Sequence, residues 1–146
     1  MRVEKGHVAG NELNGQSSAL NMGLGKMVSQ KKDSIGMVLS QRDGMVEVGG
    51  YRLVGVLPVD KAATLSAGSH FLDIGAAPVA ANDGGWLTSI VYSPHLGSQI
   101  ALGYLRGGDD RRGQRMRAVN FMTGQDTEVE IVSPHFIDPQ GERLRG

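Results

Sequence analysis

The sequence predicts a mainly β chain, an antiparallel barrel or sandwich preceded by an irregular segment with short helices. Three observations predict it. From Tyr51 onward, apolar residues recur with a period of two in short runs. Glycine-rich turn signals divide those runs at regular spacing. The chain also holds 22 glycines among 146 residues, about twice the usual ~7%. They are scattered rather than clustered, which suits many tight turns and not a flexible linker.

Residues 1–46 form the irregular segment and residues 47–146 the β domain. Within the first, Ser18 is placed to cap a brief turn through Ala19, Leu20, Asn21 and Met22, with Gly23 as its stop. Asp33 or Ser34 caps a helix reaching about Gln41, with Ile35, Val38 and Leu39 on one face. This lead-in buries little by itself, so it is expected to pack on a neighbour.

The β domain opens with Leu53, Gly55, Leu57 and Val59 alternating with Val54 and Val56. A short strand is expected near residues 69–72. Trp86, Thr88, Ile90 and Tyr92 are expected on one face of the next strand, then Ile100, Leu102 and Tyr104 on one face of another. Met116, Ala118, Asn120 and Met122 alternate with Arg115 and Arg117, and Val129 and Ile131 with Glu128 and Glu130. Those arginines and glutamates read as cross-strand pairs of small individual value. The turns between are Asn82-Asp83-Gly84-Gly85, Ser93-Pro94-His95-Leu96-Gly97, Gly107-Gly108-Asp109-Asp110 and Thr123-Gly124-Gln125-Asp126. The run Asp109 to Arg112 reads as a solvated hairpin tip.

Several functions are excluded or disfavoured. Fifteen basic and fifteen acidic residues cancel, leaving no electrostatic footprint for nucleic acid or an anionic membrane. No apolar run approaches membrane-spanning length and no signal-peptide core is present. The absence of cysteine removes disulfides and thiolate chemistry and fits a cytoplasmic setting. Gly23-x-Gly25-Lys26 lacks the spacing and the Ser or Thr of a phosphate loop, and no dinucleotide fingerprint opens a helix. His7, His70, His95 and His135 have no spacing that aims imidazoles at one metal. Ser93 and Ser133, each before Pro-His, read as turn formers rather than nucleophiles.

The opening run Arg2-Val3-Glu4-Lys5-Gly6-His7-Val8-Ala9-Gly10-Asn11-Glu12-Leu13 resembles the end of the folate-binding domain in the aminomethyltransferase family, which includes the glycine cleavage T-protein. The later runs Arg52-Leu53-Val54-Gly55, Gly85-Trp86-Leu87-Thr88-Ser89 and Ser93-Pro94-His95-Leu96-Gly97 resemble its C-terminal β-barrel, of jelly-roll or Greek-key type. Lys31-Lys32-Asp33-Ser34-Ile35-Gly36 and the tail from Val132 to Arg143 look most like the alpha subunits of heterotetrameric sarcosine oxidases. The Ser17-Ser18-Ala19 run departs from the T-protein pattern, as does that tail.

The resemblance implies a C-terminal portion of a larger oxidoreductase subunit. Such enzymes demethylate sarcosine oxidatively to glycine, with methylenetetrahydrofolate or formaldehyde as the one-carbon product. By this resemblance Glu4 accepts hydrogen bonds from the tetrahydrofolate pterin, and Lys31 and Lys32 face the folate glutamate tail. A carboxylate matches adjacent ring N–H donors bidentately. FAD, FMN and NAD would lie in the full complex and not in this chain, with only part of the tetrahydrofolate site here. The expected partners are the remaining alpha-subunit domains and the other subunits, and the isolated chain is expected to be inactive. Two other readings stand beside this one: a fragment of an aminomethyltransferase or dimethylglycine-oxidising relative, and a purely structural barrel that docks subunits.

Overall fold

In the computed structural model, which describes all residues except Gln30, Gly44, Val46, Glu47, Val48 and Gly146, six strands close into an antiparallel barrel. They are β1 (Tyr51–Pro58), β2 (His70–Asp73), β3 (Gly85–Ser93), β4 (Ser98–Arg106), β5 (Arg115–Val119) and β6 (Asp126–Val132). Around the barrel the order is β1, β4, β3, β2, β5, β6, with β6 paired back onto β1. Strands β2 to β4 follow one another while β1 lies beside β4, which is a Greek-key arrangement. The boundary expected at residues 46 and 47 falls outside the described residues.

Alternation along the strands fills the barrel. Val54 and Val56, Phe71, Leu87, Ala101 and Leu105, Met116 and Ala118, and Val129 and Ile131 form one buried cluster, joined by Leu65. Gly103 makes room for its largest member, since a Cβ there would lie 3.0 Å from the Phe71 ring and 2.7 Å from the Trp86 carbonyl oxygen.

A second cluster covers the outer wall of β1, β4 and β3. Leu53, Ile100, Leu102 and Tyr104 pack there with Val3, and Val8, Met22, Trp86, Val91 and Phe136 close around them. The neighbour on which the lead-in packs is therefore the barrel itself, at least for residues 3–22. The Ser18 turn forms as the sequence predicts: Ser18 N–H donates to Asn21 Oδ1 at 2.7 Å. It ends with Leu24 N–H bonded to Ala19 O and Gly23 N–H to Leu20 O, Gly23 being left-handed at φ 75°. Helix α1 (Ile35–Ser40) is also present. Its Ile35 and Val38 are exposed, however, so the apolar face expected there is not covered by this chain.

Three strand-level expectations are corrected. Trp86, Thr88, Ile90 and Tyr92 do not share a face, because β3 carries a bulge: Leu87 pairs with Gly103 and Ser89 with Leu102, leaving Thr88 without an opposite. Trp86 and Val91 consequently belong to the outer cluster while Ile90 packs inward. Strand β5 stops at Val119, short of the expected Met122, which is exposed. Asn120 ends it, its Oδ1 accepting from the N–H groups of Met122 (2.9 Å) and Thr123 (3.1 Å). Finally, Asp109 to Arg112 is no hairpin tip, since β4 and β5 are not neighbours. It is a 3₁₀ turn against β1, with Arg111 bonded to Asp73 and Gln114, and a Cβ on Gly108 would lie 2.6 Å from Val54. The surface arginine pairs also shift diagonally, Arg115 to Glu128 and Arg117 to Asp126.

The C-terminal tail crosses the outer wall at Gly55. A Cβ there would meet the Ser133 carbonyl oxygen at 2.3 Å and the Phe136 ring at 2.9 Å. Gly55→Ala is therefore expected to displace the tail and lower stability by about 1–3 kcal/mol. A lowered melting temperature together with faster proteolysis within residues 133–141 would register both effects. Short helix α2 (Glu142–Arg145) follows the tail.

Candidate functional site

The first seven residues fold into a turn against the outer wall, where Gly6 N–H bonds to Val3 O and His7 N–H to Arg2 O. Gly6 takes φ 68°, and a Cβ on it would lie 2.5 Å from the Pro134 carbonyl oxygen. The tail lies over this turn. Phe136 and Ile137 N–H groups both donate to the Glu4 carbonyl, at 3.0 and 3.1 Å. Lys5 Nζ donates to the Asp138 carbonyl at 2.9 Å, and His135 Nδ1 lies 2.9 Å from the Lys5 carbonyl.

The bulge at Thr88 aims two serines at this segment. Ser89 and Ser93 are four residues apart on the same face, and each bonds a buried carboxylate. Ser93 Oγ donates to Glu4 Oε1 at 2.5 Å. Ser89 Oγ donates to Glu12 Oε1. Glu4 Oε2 lies 2.9 Å from the Met1 ammonium. Glu12 is fully buried; its Oε2 accepts from Ala9 N–H at 3.0 Å and from Arg2 Nη1 at 3.1 Å. Arg2 also donates to Ser89 Oγ at 2.8 Å, which closes the network.

These contacts set the ionisation of both acids. The Ser93 hydrogen bond, then the Met1 ammonium, holds the Glu4 carboxyl below its ordinary range. Burial works to raise Glu12, but hydrogen bonds from Ser89, Thr88 and Ala9 and the charge of Arg2 outweigh it, so Glu12 is also lowered.

Next to this network lies a cleft of about 290 Å³ lined by Tyr51, Trp86, Tyr104, Asn14, Gln16, Ser17 and Asn21. Trp86 packs edge-on to Tyr51 at 5.0 Å and tilted to Tyr104 at 5.8 Å. Tyr104 donates its hydroxyl to the Glu12 carbonyl at 2.8 Å.

Of the residues singled out from the sequence, Glu4 is buried beneath the tail, whereas Lys31 and Lys32 are exposed. Among the described residues no hydrogen bond or ion pair links either lysine to Glu4. Glu12, Ser89 and Ser93 were not among the sequence candidates for the site. Glu12 and Ser89 stand inside the runs that carry the family resemblance, but nothing local shows that they meet across the fold. Among the described residues no group of three or more His, Cys, Asp or Glu side chains could hold a metal ion, and no helix is long and apolar enough to cross a membrane.

Residues 52–138 match the glycine cleavage T-protein C-terminal barrel domain. The chain belongs to this family. The T-protein barrel here is also 43% identical, over 99% of its length, to a sarcosine oxidase alpha subunit of Rhizobium meliloti (strain 1021). It is 30% identical over its whole length to the sarcosine oxidase alpha subunit of Corynebacterium sp. (strain U-96). It spans 15% of the length of each of these relatives. A crystal structure of the glycine cleavage system aminomethyltransferase T from Bartonella henselae shares the fold. There the TM-score is 0.67 at 18% identity, over 94% of this chain and 37% of that one. Both the T-protein barrel and the segment ahead of it are thus covered by relatives.

Proposed function

We propose that this chain is the C-terminal part of a folate-linked sarcosine oxidase alpha subunit and forms one wall of its tetrahydrofolate site. The observation that carries the reading is the similarity to sarcosine oxidase alpha subunits across 99% of the chain, which includes the Glu4 segment as well as the barrel. In this reading Glu4 takes an N–H donor of the pterin. Its lowered ionisation keeps it an acceptor over the whole neutral range. The ammonium now on Oε2 is a donor of the same kind. Lys31 and Lys32, being exposed, are available to the carboxylates of the folate glutamate tail.

Tetrahydrofolate would supply the one-carbon acceptor, and the protein's own part is to position and shelter it. FAD, FMN and NAD belong to other parts of the complex, so the partners are the remaining alpha-subunit domains and the other subunits. The isolated chain has no catalytic activity in this reading, and its compartment is the cytoplasm. The engagement of both Glu4 oxygens within the chain favours a second reading, a structural docking barrel.

Calorimetry of millimolar tetrahydrofolate with this chain separates the two. Weak binding that Glu4→Gln removes supports the folate wall. Absence of binding leaves the docking role alone, and sarcosine turnover by the isolated chain would overturn the reading of it as a partial site.

A further inference from the structure

We infer that Ser93, turned onto the outer wall by the bulge at Thr88, is a positioning residue for Glu4: it holds Oε1 and presents Oε2 to the ligand. The inference rests on the folate reading above and narrows it. Glu4 would then recognise its ligand through one oxygen, rather than through the bidentate pairing that a free carboxylate allows.

The geometry is specific. Ser93 is fully buried, and its Oγ both donates to Glu4 Oε1 at 2.5 Å and accepts from Leu96 N–H at 3.3 Å. That second bond leaves the hydroxyl hydrogen to Glu4. The Ser93 carbonyl accepts from Gly97 N–H at 2.9 Å, so the β3–β4 hairpin turn fixes the residue that fixes the carboxylate. On the other side, Oε2 meets the ammonium of the exposed Met1. The backbone of Glu4 cannot swing away, because its carbonyl is held by Phe136 and Ile137. Ser93 is also the foremost cause of the lowered Glu4 ionisation, ahead of the Met1 ammonium and His95. Lys5, with Asp138 and His135 on the overlying tail, completes the charged and titratable surroundings.

The test is a titration of the chain labelled with ¹³Cδ-glutamate, following the Glu4 carboxyl resonance as tetrahydrofolate is added at pH 7.5 and pH 5.5. The wild type is expected to respond with similar affinity at both pH values. Ser93→Ala is expected to bind about tenfold more weakly, the loss of one charge-assisted hydrogen bond, and to weaken further at pH 5.5. Ser93→Thr, which keeps the hydroxyl, restores the wild-type profile. A purely structural role would alter melting temperature without changing the pH dependence, and His95 titrates in wild type and variant alike. Ser93→Ala with wild-type affinity and pH profile overturns the inference and leaves the folate reading standing. A wild-type Glu4 resonance that never responds overturns the folate reading, and the inference falls with it.

Discussion

Glu12→Ala is expected to lower stability by about 3 kcal/mol, enough to reduce the melting temperature by roughly 10 °C in a chain of this size. The side chain is fully buried and gathers donors from three separate places: Ser89 on β3, the Ala9 backbone and Arg2. Removing it strands the Ser89 hydroxyl and the Ala9 N–H in a dry interface, and each such group costs about 1–3 kcal/mol. Arg2 is partly exposed and can turn to water, so its charge adds little. Glu12→Gln keeps the shape and one acceptor oxygen and is expected to cost about 1 kcal/mol. Thermal unfolding of the two variants measures the difference, and an alanine variant as stable as the glutamine variant would contradict the network.

The same residue ties stability to pH. Glu4 and Glu12 are both lowered from 4.5 in the folded chain. A carboxyl whose folded value is depressed stabilises the fold above its unfolded value and loses that contribution as pH falls through the folded one. Stability is therefore expected to hold from neutrality down to about pH 5 and to fall below it, with a shallower fall in Glu12→Gln.

The parts of this fold that could be read from the sequence are those that one strand declares by itself. Val54 and Val56 alternating with Leu53 and Leu57 announce a strand buried on both faces, and Asn82 to Gly85 announces a turn. The Ser18 turn was equally readable, because its cap, its apolar residues and its glycine stop lie within six positions. What could not be read is non-local. Closure of β6 onto β1 depends on pairs such as Gly55 with Val132, and no local pattern names that partner. Met116, Ala118, Asn120 and Met122 continue a perfect alternation, yet Asn120 prefers to bond its own backbone and ends the strand.

The candidate site was less readable still. Glu4 was found through the resemblance of its segment to a known family. Its partner Ser93 lies 89 residues away, and Ser89 lies 77 residues from Glu12. The tail that covers Glu4 comes from the opposite end of the chain. The bulge hid these contacts, because Trp86, Thr88, Ile90 and Tyr92 spell an uninterrupted period of two.

Deleting Thr88 is expected to have the largest effect of any single change. A bulge adds one residue to one strand, and side chains alternate with a period of two, so the extra residue inverts every side chain beyond it. With Thr88 gone, Leu87 and Ser89 become neighbours in regular pairing. Ser89, Val91 and Ser93 then point into the barrel beside Phe71 and Ile131, and Ile90 moves out of it. Two hydroxyls enter an apolar interior, and Glu4 and Glu12 lose their serine donors together. At about 1–3 kcal/mol for each stranded group, the sum reaches the whole net stability of about 5–15 kcal/mol expected of a domain. The deletion variant is expected to show no cooperative thermal transition and to lose the dispersed amide spectrum of a folded barrel. Thr88→Val separates the count from the side chain: it keeps the bulge and gives up the bond from Thr88 Oγ1 to the Leu102 carbonyl at 3.1 Å. That loss is worth about 1 kcal/mol, and its melting temperature should fall by about 2–4 °C. A deletion variant that melted with Thr88→Val would mean that β3 can absorb the missing residue elsewhere, and the bulge would then not be what aims Ser89 and Ser93 at the two carboxylates.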